Sequence, residues 1–308
     1  MRATRRWRAW SRSSAARAVR VIACYGLYYS GLLRVWQRRA LRGKAVVLMY
    51  HRVLDDAERA ASASHPALVV SRRTFERQMR WLRGWFSVLS LEEFARQVER
   101  GEPFARPSCL VTFDDGWRDN YTNAFPALRR EGLPALIFLP FAYIGDTRLF
   151  WQEALTHLLL RLAGNCGRRH TGVDGIEELL RRAGIETIPE GSEEDRRGEV
   201  ARAVARMKSV PVAETERLVG DLAAAAGVEM CELARIDGFM SWQQVEEMSR
   251  AGIAFGAHGV NHRLLTQVGD EEVEAEIGGS REALAGRFPG TVPTFSYPNG
   301  YLTPAVVE

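Results

Sequence analysis

Two adjacent carboxylates follow the clearest candidate for a buried strand in this chain. Residues 108–113 read SCLVTF, and Asp114, Asp115 and Gly116 come next. Neighbouring carboxylates at a strand end are costly unless a cation or hydrogen-bond donors compensate them. One of them can bind a metal ion while the other stays free as a base. The alternative is an ordinary strand-to-helix turn, in which an aspartate caps the helix and the glycine supplies a permissive backbone.

A pair of histidines lies four residues apart in the segment AHGVNH. This spacing puts the imidazoles of His258 and His262 on one side of a single turn. Two histidines and one carboxylate leave coordination positions open for water and substrate, as a hydrolytic metal site requires. The pair alone fits two polar loop residues equally well, but together with Asp115 it favours a metal site. Zinc is the default ion, and cobalt, nickel or manganese suit the same ligands.

The elements that must position these groups alternate between strands and helices. Six short apolar runs are predicted as strands: 45–50, 86–89, 108–113, 135–140, 253–257 and 294–297. Helical patterns lie between them, which indicates repeated βα units and a parallel sheet. Active sites in such folds form at the carboxyl ends of strands. His51, the two aspartates, the two histidines and the loop at residues 296–300 all follow predicted strands.

Residues 150–236 interrupt this alternation. They contain long, charge-rich helical stretches and no convincing strand, so we predict a helical insertion over one face of the fold. Six strands fall short of the seven or eight of a closed (β/α) barrel. The sequence therefore predicts either that the sheet stays open or that the final βα units of a barrel lie beyond Glu308.

Composition and charge restrict the classes of partner. The 308 residues are 46% hydrophobic and 26% charged, which is typical of a globular protein. Residues 1–44 contain eleven arginines, Lys44 and no acid, whereas the remainder carries a net charge of −8. A basic arm of this kind suggests an anionic partner, either a membrane surface or a nucleic acid. We expect no nucleic acid, because the basic residues lack a recognisable fold and stacking aromatics.

An apolar run at residues 21–33, VIACYGLYYSGLL, lies within the basic arm. It is shorter than the roughly 20 residues that a membrane-spanning helix needs. Three interpretations stay open: a helix packed on the main domain, an interfacial helix at a bilayer surface, and an atypical export signal. We accordingly expect a cytoplasmic or membrane-associated protein and do not exclude export.

The four cysteines are scattered along the chain without a CxxC pair: Cys24, Cys109, Cys166 and Cys231. This spacing suits neither a disulfide framework nor a structural zinc site. We expect free thiols, with Cys109 in the core.

Three motifs occur in the order and at the spacing found in the NodB-type polysaccharide deacetylases, carbohydrate esterase family four. TFDDG at 112–116 looks like the first motif, HGVNH at 258–262 resembles the HxxxH motif, and FSYPNG at 295–300 resembles the FAYPYG branch of the third. Supporting similarities are YHRV at 50–53, NY at 120–121, AFP at 124–126, FW at 150–151 and MSW at 240–242. The resemblance covers residues 45–308, which we expect to form one deacetylase domain behind the arm at residues 1–44.

This resemblance implies a distorted (β/α) barrel that removes N-acetyl groups from an amino-sugar polysaccharide or oligosaccharide, in envelope or exopolysaccharide metabolism. It implies that Asp115, His258 and His262 hold a divalent metal ion. Asp114 would then be the general base. The physical account agrees, because a cation lowers the pKa of a bound water and stabilises a developing oxyanion while a free carboxylate takes the proton.

The third motif is expected to face the substrate, through Tyr297 and Asn299. A backbone N–H near Asn299 would donate to the oxyanion. Two departures from the family stand out. Gly259 lies where the family often has Ser or Thr, and Ser296 lies where many members have an arginine beside the base.

The family's general acid, a histidine on a late strand, has no counterpart before Glu308. His51 is a candidate for a substitute acid or a supporting residue, and a strand-end histidine bonded to the backbone is the alternative. Two hypotheses for the function follow. One is a metal-dependent deacetylase, and the other is a non-catalytic or truncated member that only binds carbohydrate.

Overall fold

A computed structural model describes residues 14–164, 176–185 and 192–307. Three of the four cysteines lie in these ranges and are free thiols, as predicted. Cys109 is buried, whereas Cys24 and Cys231 are exposed. Cys166 lies outside the described residues.

The first half of the chain contains most of the strands. Two helices precede them, α1 (Ser14–Tyr29) and α2 (Leu32–Ala40). The strands are β1 (Ala45–Tyr50), β2 (Arg52–Leu54), β3 (Val69–Ser71), β4 (Ser87–Val88), β5 (Ser108–Phe113) and β6 (Leu136–Leu139). The intervening helices are α3 (Asp56–Ala61), α4 (Arg72–Trp85), α5 (Leu91–Glu99) and α6 (Phe125–Glu131), with a π-helical turn at Asn120–Ala124.

The second half is mainly helical. A helical group comes first: α7 (Trp151–Gly164), α8 (Ile176–Arg182), α9 (Glu193–Met207), α10 (Val212–Ala226) and α11 (Met230–Asp237). The remaining elements are α12 (Trp242–Arg250), β7 (Ala254–Ala257), α13 (Asp270–Arg287) and α14 (Pro304–Val307). Short 3₁₀ turns occur at Pro66–Leu68, Leu265–Gln267 and Pro298–Gly300.

The main sheet is parallel, in the order β1-β5-β6-β7, with β4 paired to the start of β5. Every residue of β5 is buried, which agrees with its continuous apolar sequence. This arrangement confirms the predicted α/β class. Among the described residues the sheet stays open rather than closing into a barrel.

The predicted strand at 294–297 is wrong, because only Phe295 pairs with Ala257, in a single parallel bridge. The chain then turns at Pro298, and Asn299 adopts a positive φ of 57°. Sequence reasoning also missed the short parallel pair β2 and β3. Each of these strands has three residues, too few to show a period in the sequence.

Serine caps fix the start of several helices. A serine side chain accepts a hydrogen bond from the backbone N–H three residues on at four helix starts: Ser71, Ser90, Ser192 and Ser241. Such caps satisfy backbone donors that the first turn of a helix leaves unpaired.

The segment predicted as an insertion contains α7 to α11 and no strand among its described residues. Helix α7 contributes Leu155 and Leu158 to the main hydrophobic core, and α9 and α10 pack against it. This packing ties the helical group to the sheet that carries the site.

Helices α1 and α2 differ from the rest of the fold in their exposure. The side chains of residues 18–29 are all exposed, including Ile22 and Tyr29, so the apolar face of α1 is not buried against the domain. The guanidinium of Arg34 on α2 lies 3.8 Å from the centre of the Trp85 ring and gives a contact with α4. Of the helices described, none combines the length and apolar character needed to cross a membrane.

A buried charge network fastens α11 to the start of the sheet. Nε of Arg52 lies 2.7 Å from Asp119, and its Nη1 lies 2.7 Å from Asp237. Asp237 also contacts Nε2 of His157 at 2.8 Å. Arg52, Asp119 and Asp237 are all less than 5% exposed. The guanidinium of Arg52 lies 4.4 Å from the centre of the ring of Trp117, which comes two residues after Asp115.

We predict that Arg52→Met lowers the free energy of unfolding by about 3–5 kcal/mol, because it leaves two buried carboxylates without their cation. Urea denaturation of the metal-free protein measures this change. Arg72→Met is the matched control, since exposed Arg72 forms a surface pair with half-buried Glu76 that is worth at most about 1 kcal/mol. Equal losses in the two variants would contradict a structural role for the network.

Candidate metal centre

One carboxylate and two imidazoles converge at the carboxyl edge of the sheet. Oδ1 of Asp115, after β5, lies 3.3 Å from Nε2 of both His258 and His262, after β7. One candidate ligand atom from each residue lies within 4.8 Å of the others. Asp115 and His258 are buried and His262 is nearly so. The sequence predicted this group as metal ligands, and the structure brings it together.

Unusual backbone conformations aim these side chains. Asp115 and His262 have positive φ angles of 75° and 54°, which non-glycine residues seldom adopt. Such strain concentrates at functional sites. Gly116 follows with φ +65°, and a Cβ there would lie 2.8 Å from Leu139. The turn at residues 114–116 therefore requires a glycine at position 116, both for its backbone conformation and because no space is left for a side chain.

Hydrogen bonds orient the three candidate ligands. Trp117 Nε1–H donates to Oδ2 of Asp115 at 2.9 Å, which leaves Oδ1 directed at the histidines. Nδ1 of His258 lies 2.7 Å from the carbonyl oxygen of Ser296. Because a carbonyl only accepts, Nδ1 carries a proton, so Nε2 is the ring nitrogen that faces Asp115 and would bind a metal ion. The ring of His262 stacks on Phe150, with the two centroids 4.1 Å apart.

The ionisation of the group suits a cation. Burial alone would raise the pKa of Asp115, but hydrogen bonds and charge from the two histidines outweigh it and hold that pKa well below its usual value. Burial lowers the pKa of His262, which favours the neutral imidazole that metals bind. One anionic oxygen and two imidazole nitrogens fit zinc and its neighbours in the first transition series.

Asp114 lies beside this group and has a different environment. It is 5% exposed, and burial raises the pKa of its carboxyl group. Ser296 Oγ–H donates to Oδ2 of Asp114 at 3.3 Å, from the position where many family members have an arginine. The protein therefore gives this carboxylate a neutral hydrogen-bond donor in place of a charged neighbour.

A cleft of about 780 Å³ opens over these residues. A volume of this size is typical of a small-molecule site. All seven residues proposed from the sequence line it: Asp114, Asp115, His258, His262, His51, Tyr297 and Asn299. Helix α9 forms another part of its wall, through Ala201, Val204 and Ala205. The roles assigned to individual residues stay predictions.

Sequence reasoning missed Glu276, which organises the loop between the histidines. This glutamate on α13 is 2% exposed. Its carboxylate accepts hydrogen bonds from the backbone N–H of Val260 at 2.9 Å, and from the backbone N–H and side-chain amide of Asn261 at 2.9 and 2.8 Å. No sequence signal marks it, because α13 carries several other acids that are exposed.

The same carboxylate explains Gly259. This glycine has φ +79°, and a Cβ there would lie 2.6 Å from Oε2 of Glu276. A serine or threonine at this position would force the carboxylate to move and would hold a backbone conformation that residues with a side chain seldom adopt. In this chain the glutamate orders the loop, where the family often has a hydroxyl side chain.

Comparisons with known proteins agree with this fold. The family model described as polysaccharide deacetylase matches residues 199–308, which include both histidines and the third motif. The solved structure of the Streptococcus pyogenes deacetylase PplD, in complex with acetate, superposes with a TM-score of 0.50 at 18% identity, over 85% of this chain and 77% of that chain. At that identity the likeness shows the fold alone.

Two curated relatives have longer sequences than the regions that match. One is YxkH of Bacillus subtilis, whose name suggests that it is a polysaccharide deacetylase. It is 28% identical over 40% of this chain and 41% of its own length. The poly-β-1,6-N-acetyl-D-glucosamine N-deacetylase of Staphylococcus epidermidis is 34% identical over 34% of this chain and 39% of its own length. The match thus spans about two fifths of each relative.

The fold and the candidate site together resemble those of the polysaccharide deacetylases. The predicted resemblance to the NodB-type polysaccharide deacetylase family is thereby confirmed. The narrower assignment to the FAYPYG branch stays a prediction.

We predict that Glu276→Ala weakens zinc binding about 10- to 100-fold, because residues that orient metal ligands have effects of this size. Isothermal titration calorimetry with zinc on the metal-free protein measures it. Glu271→Ala removes an exposed acid from the same helix and should leave the affinity unchanged. Equal zinc affinity in both variants and in the parent chain would show that the loop does not need its carboxylate.

Proposed function

We propose that the protein is a metal-dependent hydrolase that removes N-acetyl groups from an amino-sugar polysaccharide or oligosaccharide. The observation that carries this proposal is the meeting of two kinds of group in one cleft. Asp115, His258 and His262 offer a ligand set, and Asp114 lies beside it as a carboxylate outside that set. Structural metal sites need no such neighbouring base, whereas hydrolytic sites do.

In this proposal Asp115, His258 and His262 hold the metal ion, with zinc as the default. The ion supplies Lewis acidity toward the acetamido carbonyl and its attacking water. Asp114 accepts the proton of that water, and the hydrogen bond from Ser296 keeps its carboxylate oriented. The backbone around Asn299, which lines the cleft, is placed to donate to the oxyanion.

The departing amine needs a proton, and His51 is the candidate donor. It lines the same cleft as Asp114, and its positive charge would lower the pKa of that carboxyl group. Its backbone carbonyl accepts from the side-chain amide of Asn120 at 2.8 Å, so the main chain at this strand end is fixed.

The substrate is proposed from the relatives as well as from the cleft. A curated relative is named for N-deacetylation of poly-β-1,6-N-acetyl-D-glucosamine. A cleft lined by apolar and polar side chains suits a pyranose ring, which presents both kinds of surface. We therefore propose an N-acetylated glycan as substrate, in the synthesis or modification of an envelope or exported polysaccharide.

We predict that the zinc-loaded protein releases acetate from β-1,6-linked N-acetylglucosamine oligomers and that Asp114→Asn reduces the rate at least about 100-fold, the usual contribution of a general base. His258→Ala should lose both zinc and activity. Asp270→Asn, an exposed change on α13, is the control and should retain both. Acetate assays paired with elemental analysis measure these outcomes.

Zinc binding and oligomer binding without acetate release would replace this proposal with the carbohydrate-binding alternative. If the protein binds neither zinc nor the oligomer, the proposed site is refuted. Equal activity of Asp114→Asn and the parent chain would remove Asp114 from the role of base.

We also propose that the basic arm contacts an anionic membrane surface. Apolar and aromatic side chains of α1 and α2 are exposed, with Ile22, Tyr29 and Trp36 each at least 65% exposed. Arginines accompany them, and residues 1–44 contain no acid. Such a combination suits the boundary between headgroups and acyl chains, where aromatic rings and arginines both find partners.

We predict that deletion of residues 1–43 weakens binding to vesicles of phosphatidylglycerol and phosphatidylcholine at least tenfold, since each basic residue near such a surface contributes about 1 kcal/mol. Ile22→Glu with Trp36→Glu should act similarly without shortening the chain. Binding should also fall as salt is raised. Vesicle sedimentation measures it, and unchanged binding in both variants would refute the membrane contact.

A further inference from the structure

We propose that the first turn of α7 forms a sugar-binding subsite of the cleft, in which Glu153 hydrogen-bonds a hydroxyl or amino group of the pyranose ring being deacetylated. This inference rests on the proposed function and adds a residue that the family motifs do not supply. It would make Glu153 a substrate-binding residue rather than a part of the metal centre.

Burial and position carry the argument. The side chain of Glu153 is only 9% exposed, and it lines the same cleft as Asp114, Asp115 and His51. In the parts of the chain that the structure describes, its carboxyl group bonds to its own backbone N–H and forms no hydrogen bond or ion pair with another residue. A buried carboxyl group with so few partners is unfavourable, since most such groups in proteins are fully satisfied.

The nearby cations are already engaged elsewhere. Arg52 is paired with Asp119 and Asp237, and His157, one turn further along α7, contacts Asp237. Glu153 therefore lies on the same face of α7 as His157, but it takes no part in the charge network of Arg52, Asp119 and Asp237. Burial, and then the charges of Asp115 and Asp237, raise the pKa of Glu153 to about 8. The surroundings of Glu153 thus disfavour the ionised carboxylate unless a bound ligand donates a hydrogen bond to it.

Gln152 gives a second, independent indication. Its Oε1 is buried without a hydrogen-bond partner, and its side chain lines the same cleft. Two consecutive residues on the first turn of α7 therefore present to the cleft side-chain oxygen atoms that no other described residue binds. Ring hydroxyls and an amine are donors of the kind that both oxygens need. The structure assigns this turn to recognition of the sugar rather than of the acetyl group.

The test measures binding apart from turnover. Zinc-loaded Asp114→Asn protein is titrated with the β-1,6-linked N-acetylglucosamine tetramer in a calorimeter, and Glu153→Leu is added to this background. We expect the affinity to fall at least tenfold, because the ring would lose a hydrogen bond to a buried polar group. Glu153→Gln keeps a hydrogen-bonding side chain and should lose less than threefold. Glu194→Leu, an exposed change on α9, should lose nothing.

The outcomes separate the two levels of the proposal. If Asp114→Asn protein with bound zinc does not bind the tetramer, the proposed substrate class fails before the subsite is reached. If it binds, and Glu153→Leu binds equally well, the subsite is refuted. Loss of zinc or a large fall in melting temperature in Glu153→Leu would also overturn it, because the carboxyl group would then be supporting the protein.

Discussion

The site depends on how one buried carboxylate is held. Asp115 faces two imidazoles with one oxygen and accepts the indole N–H of Trp117 with the other. The Trp117 ring in turn lies against the guanidinium of Arg52, which is fixed by carboxylates from two distant parts of the chain. Contacts therefore run without a break from the candidate metal centre to the end of α11. The geometry of the ligands is determined as much by these neighbours as by the strand that delivers them.

Much of this arrangement could be predicted because it is encoded locally. The strand β5 is apolar throughout and is followed at once by the aspartates, so both its burial and the position of the pair are evident in the sequence. Parallel α/β architecture then brings the ends of β5 and β7 together. The contribution of Glu276 could not be predicted in this way. Its partners lie about fifteen residues away on a loop, and only the packing of α13 distinguishes it from exposed acids on the same helix.

Short elements were hard to predict for a different reason. Strands β2 and β3 pair over three residues each, and their register depends on tertiary contacts rather than on alternation. The segment at 294–297 has the composition of a strand, yet its pairing stops after a single bridge because Pro298 and the left-handed Asn299 redirect the chain. That turn places Ser296 against both Asp114 and His258. The departure from regular structure thus supplies the contacts that support the site.

Helix α9 forms one wall of the cleft, while the ligands come from the sheet edge. The two surfaces are separate in sequence and meet through the apolar packing of α7. Mutations in the helical segment can accordingly reshape the cleft while the candidate metal ligands stay constant. Evolution could in this way change which ligands the cleft admits, by drift in the helical segment under purifying selection on the sheet edge. Diversification of substrate preference would then precede any change in chemistry.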